Sequence, residues 1–134
     1  MRFLCLYKPS KPEGTPPTQQ EMADMGKLIE EQMKSGTLLA TEGCLPSAKG
    51  ARIRLSGGRY SVTDGPFTES KELVAGFAII RANSKEEAIE QVKNFLKVAG
   101  DGETEIREIF EGPSPCGDND SSEKVHQLLE NAWS

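Results

Sequence analysis

Midway along the chain a β-branched run, residues 60–63, breaks at Asp64-Gly65-Pro66-Phe67. Apolar character returns only at residues 73–80, after Glu69, Lys71 and Glu72 have placed three charges in the gap. Little else in the chain restricts its folding as much. Asp-Gly marks a tight turn, and proline fixes its own φ while pushing the preceding residue out of the helical region. Two strands must therefore end and begin here, with an aromatic ring, Phe67, carried on a stiff connection.

The rest of the chain reads around that break. Residues 2–8 are apolar at both alternating sets, Phe3/Cys5/Tyr7 and Leu4/Leu6, as expected of a strand covered on both faces. After a Pro- and Gly-rich loop, Thr18-x-x-Glu21 has the capping-box pattern. Met22, Met25, Ile29 and Met33 follow at helical spacing, and Gly36 supplies the stop. We read that methionine stripe as core. Residues 38–44 form a second strand, and residues 51–55 and 60–63 flank Ser56-Gly57-Gly58-Arg59 as a β-hairpin in which Arg52 and Arg54 share a face. Residues 74–81 form a further two-faced strand, where Gly76 implies a bulge or a close backbone approach. Ser84-x-x-Glu87 opens a second helix with an apolar stripe that includes Ile89, Val92 and Phe95, and residues 105–110 form the last strand.

This order of strand, helix, strands, helix and strand, with a hairpin inserted, predicts an α+β sandwich of ferredoxin-like type. Helices cover one face of such a sheet. The two-faced strands therefore call for a second copy over the other face, as a homodimer. Residues 1–111 form the expected domain, and residues 112–134 a linker and an acidic, amphipathic tail. Five acidic residues against Lys124 give residues 111–134 a charge of −4, so of the total of −5 only −1 remains for residues 1–110. No basic face stands out, which argues against direct nucleic-acid binding. No apolar run reaches membrane-spanning length, and the N-terminus reads as a strand rather than a leader. The three cysteines are scattered without a C-x-x-C pair, which fits a cytoplasmic protein and suggests no zinc site; we expect no metal or cofactor.

The central stretch, together with Glu42-Gly43-x-Leu45-Pro46-Ser47, Gly50-Ala51-Arg52-x-Arg54, Ser56-Gly57-Gly58, Val74-Ala75-Gly76-Phe77 and Glu105-Ile106-Arg107, resembles the YCII-related, or DGPF, domain family. The resemblance implies ferredoxin-like subunits pairing as a dimeric α+β barrel. It also implies a bacterial context in which such domains occur beside extracytoplasmic-function sigma factors. Some members carry an early histidine thought to pair with the Asp of the signature; here the one histidine is His126, in the tail, so that dyad does not transfer.

The residues leave several roles open. Asp64 is a candidate acid or base, or simply an Asx turn that shapes the loop. Glu69 is a second candidate for proton transfer, and with Lys71 and Glu72 it can equally form a solvated ion-pair network. Glu42, Arg52, Arg54 and Lys71, with Tyr7 and Phe67, are candidates to line a polar-rimmed apolar pocket for a small anionic or aromatic molecule near the Asp-Gly-Pro-Phe loop. The arginines serve a dimer interface equally well, and Arg107 is expected to pair across strands. Three functions follow: a small-molecule binding module, a cofactor-free enzyme of the α+β-barrel type, or an interaction module acting beside a sigma factor.

Overall fold

The computed structural model describes residues 1–67, 73–111 and 130. In chain order the elements are β1 (Arg2–Pro9), α1 (Gln19–Ser35), β2 (Leu38–Gly43), β3 (Ala51–Ser56), β4 (Arg59–Asp64), β5 (Gly76–Arg81), α2 (Lys85–Ala99) and β6 (Gly102–Glu108). Four strands form one sheet in the order β2-β5-β1-β6, each antiparallel to its neighbours. Two strand–helix–strand crossovers that skip a position produce that order, so the chain is an α+β, ferredoxin-like sandwich. β3 and β4 form a separate two-stranded sheet, the inserted hairpin.

Helix boundaries follow the capping chemistry in the sequence. The Glu21 N–H donates to Thr18 Oγ1 at 3.1 Å, and Gly36 closes α1 with φ 79° while its N–H meets Gln32 and Met33 carbonyls. In α2 the Glu87 N–H donates to Ser84 Oγ at 3.1 Å, while the Glu87 carboxylate reaches back to the Asn83 N–H. At the hairpin tip Gly57 and Gly58 both have positive φ, 58° and 77°, as a two-residue turn with primed geometry requires.

Register assigns the faces. Phe3, Cys5 and Tyr7 stand opposite Ile80, Ala78 and Gly76, and this set faces the helices. Phe3, Cys5, Leu38, Ile80, Ala82 and Ala88 are its buried core. Leu4 and Leu6 pair with Ile79 and Phe77 on the opposite face and are only half-buried. That face is apolar at its centre, in β1 and β5, as the two-faced strands predict, while β6 adds Glu103, Glu105 and Arg107 and β2 adds Glu42 at its margins.

Some expectations are corrected. Met22 and Met33 are 60% and 51% exposed and no residue of α1 is buried, so the methionine stripe is not packed core. β5 begins at Gly76 rather than at residue 74, and the register irregularity lies in β2, between Leu38 and Ala40. Of the two alternatives open at Gly76 the close approach holds: a Cβ there would come within 2.9 Å of the Glu42 carbonyl oxygen. Arg107 pairs along its own strand, with Glu105 at 3.4 Å, and not across strands.

Candidate functional site

The helices do not close onto the whole sheet. Across the sheet at the level of Tyr7 the helix-facing residues run Gly43, Gly76, Tyr7 and Thr104. Two adjacent glycines leave the floor bare there, and Gly26 leaves a gap in the α1 stripe above. A cavity of about 510 Å³ results. Met25 and Ile29 of α1, Val92 and Phe95 of α2, and Cys5 and Ala78 of the sheet give it apolar walls.

Tyr7 fixes its polar end. The ring meets Phe95 edge to face, centroids 5.2 Å apart and planes at 88°. Its hydroxyl donates toward the carbonyl oxygens of Ala99, Gly100 and Asp101 at 3.4, 3.4 and 3.5 Å, where α2 ends. Burial raises the Tyr7 pKa, and the carboxylates of Asp101 and Glu21 raise it further. Glu21 lines the cavity at the same end and lies 3.5 Å from Lys11 Nζ. Thr104 Oγ1, in the adjoining wall, is buried with no hydrogen-bond partner among the described residues.

The Cys5 thiol lies in the cavity wall, where burial pushes its pKa from 9.0 up to about 11. The folded chain therefore holds this proton more tightly than the unfolded chain. Its contribution to stability is complete below pH 9.0 and falls as pH rises toward 11, by at most about 1.4 kcal/mol per pH unit. In urea titrations across that window, Cys5→Ala should show a flatter decline than the parent chain. At pH 8 an alkylating reagent should modify the exposed Cys44 before Cys5; equal rates at the two cysteines would contradict the burial argument.

The structure divides the residues expected to form one site. Tyr7 and Glu42 both line the cavity, although register places the Glu42 side chain with Phe77 and Leu6 on the far face of the sheet. Arg52, Arg54, Asp64 and Phe67 are not among the lining residues. The Arg52 guanidinium sits 4.0 Å over the Phe67 ring, a cation–π contact. Arg54 is exposed on the same hairpin face as Arg52. Asp64 is exposed and pairs with Ala51, and its carboxylate accepts no hydrogen bond from a described residue. Glu69 and Lys71 lie outside the described residues, as do Glu72 and His126.

Sequence reasoning missed the anchor of the central loop. Glu13 accepts from the Ser47 N–H at 2.7 Å and from Ser47 Oγ at 2.6 Å, and Ser47 Oγ in turn accepts from the Phe67 N–H at 3.0 Å. Ser47 is the link between the Pro-rich first loop and the Asp-Gly-Pro-Phe turn. No local pattern marks Glu13, because its partners lie more than 30 residues away. Gly26 did offer a signal, since glycine inside a helical stripe leaves a gap, as did the pairing of Gly43 with Gly76.

Among the described residues no helix is long and apolar enough to cross a membrane, and no cluster of His, Cys, Asp and Glu is arranged to hold a metal. The chain is similar to an uncharacterized protein of Rhizobium meliloti (strain 1021), with 28% identity over 92 residues, 68% of this chain and 74% of the relative. Among solved structures it is similar to 5-chloro-2-hydroxyhydroquinone dehydrochlorinase from Burkholderia phenoliruptrix AC1100, in complex with 2,5-dihydroxybenzoquinone. That match has a TM-score of 0.45 and 19% identity, and covers 84% of this chain and 96% of the other. The family model for the YCII-related domain matches residues 1–112, and the chain belongs to that family.

Proposed function

We propose that the protein binds a small, largely apolar molecule between its helices and its sheet. The observation that carries this reading is the cavity itself, about 510 Å³ with apolar walls and polar groups gathered at the Tyr7 end, within the size range of small-molecule sites. Gly26 offers a direct test. It lies on the lining stripe of α1, and a Cβ there would meet nothing within 4 Å. Gly26→Phe should fill the cavity while raising helix propensity. A neutral fluorescent probe such as N-phenylnaphthylamine should bind the parent chain and bind the variant about tenfold more weakly or worse, with Tm held or raised. Equal binding by a stably folded Gly26→Phe would place the probe elsewhere and remove the cavity from the argument.

The assembly belongs to the same proposal. Leu4, Leu6, Phe77 and Ile79 face away from the helices, and the hairpin presents Ile53, Leu55, Tyr60 and Val62 on one face at 60–75% exposure. A two-stranded ribbon is marginal alone and needs such a face covered. A second copy, sheet against sheet, would cover the first patch, and the exposed hairpin face is a further apolar surface for it to bury. Sedimentation at micromolar concentration should show a dimer, and Ile79→Asp should shift it to a folded monomer. A stable monomer of the parent chain under those conditions would overturn the pairing.

A further inference from the structure

We infer that the ligand is an apolar amine, seated with its ammonium group at the Tyr7 end of the cavity. This rests on the binding reading above and adds the sign of the ligand's charge.

None of the described residues lining the cavity is Lys, Arg or His, so nothing in its walls neutralises a carboxylate or phosphate. The arginines once expected to take an anion are on the hairpin, Arg52 stacked on Phe67. The polar end is built from acceptors instead. Ala99, whose carbonyl oxygen lies 3.4 Å from the Tyr7 hydroxyl, lines the cavity; the Gly100 and Asp101 carbonyls, at 3.4 and 3.5 Å from the same hydroxyl, are outside the lining but face the same proton. The Ser10 N–H supplies a second donor to Asp101, at 3.0 Å, but among the described residues Ala99 and Gly100 have only their share of the Tyr7 hydroxyl. Oxygens at a helix C-terminus carry the negative end of its dipole and attract cations. Glu21 adds a carboxylate to this end, and Asp101 lies close enough to act on the same tyrosine. The Tyr7–Phe95 pair supplies aromatic surface beside them, which suits a cation and its apolar body.

Two features oppose this arrangement, and both are weak. Lys11 sits 3.5 Å from Glu21, but the side chains are 53% and 38% exposed, and an ion pair in water of that kind is readily exchanged. The N-terminus of α1 lies at the same end, where free N–H groups would attract an anion. However, the Thr18 hydroxyl already accepts from one of them, the Glu21 N–H.

The test uses three ligands of one shape: naphthylmethylamine, naphthylmethanol and naphthoate, titrated by calorimetry into the full chain at pH 7. The ammonium should bind about tenfold or more tighter than the carboxylate, with the alcohol between them. In Glu21→Gln, which keeps the backbone N–H that Thr18 caps, the ratio of ammonium to alcohol affinity should fall severalfold. Naphthoate binding as tightly as the amine would overturn the inference, and so would an unchanged ratio in Glu21→Gln. Alcohol binding with no amine preference overturns the charge assignment alone. Failure of all three ligands overturns the cavity reading with it.

Discussion

Alanine at position 65 is expected to destabilise the protein by about 3 kcal/mol or more. The added methyl would fall within van der Waals distance of the Ser47 carbonyl and 3.1 Å from the Ala48 nitrogen, all backbone atoms. Neither side is free to withdraw. The Gly65 N–H donates to the Gly50 carbonyl at 3.0 Å, and the turn over Ser47–Lys49 is closed by the Lys49 and Gly50 N–H groups, each at 2.9 Å. Glu13 then holds Ser47 from the far side. Retreat would break several of these bonds, so the turn must undock or strain. Gly43→Ala is the matched control, because a Cβ there meets nothing within 4 Å. Urea denaturation should separate the two variants clearly. A loss below about 1 kcal/mol at position 65 would show that the loop re-docks and that the interlock contributes little to stability.

Phe3→Ala should cost about 4 kcal/mol, because the packed core is small. Phe3 is 2% exposed and does not itself line the cavity, although Ile80 opposite it does, and Ala82 and Ala88 belong to the same cluster. Removing the ring there opens a void that the surrounding strands must leave empty. Ile29→Ala makes a useful comparison: Ile29 is only partly buried and already borders open space, so its truncation enlarges an existing hollow and should cost less than half as much. If the two variants lose similar stability, the helix layer closes over the cavity in solution and the two positions are equivalent.

These two sites show where sequence suffices. Caps, stripes and turn residues act over three or four positions, so both helices, the Gly57-Gly58 tip and the Asp64–Phe67 break could be read directly. The two apolar sets in residues 2–8 likewise foretold a central strand that is apolar on both faces. The cavity could not be read that way. It arises where Gly43 and Gly76 come side by side with Tyr7, a juxtaposition created by strand order rather than by any local spacing. The methionine stripe was misread for the same reason. Its spacing identified the face turned toward the sheet, but not whether the sheet beneath had side chains to meet it. Arg52, Arg54 and Phe67 were grouped with Tyr7 because a guanidinium pair and aromatic rings suit one pocket for an anionic or aromatic molecule. The hairpin carries them away from it, into contacts of their own.

The strand order also determines how this sheet resists uncontrolled growth. Among the described residues its two outer strands, β2 and β6, have no strand beyond them, and their outer backbone groups could be extended by another chain's strand. β6 alternates Glu103, Glu105 and Arg107 along one side, so a copy pairing parallel and in register would bring like charges into line. β2 is six residues long and loses register between Leu38 and Ala40, which spoils a continuous ladder. Both borders therefore discourage fibril-like stacking. Substitutions that neutralise Glu103 and Glu105 should shorten the lag before aggregation without altering the fold.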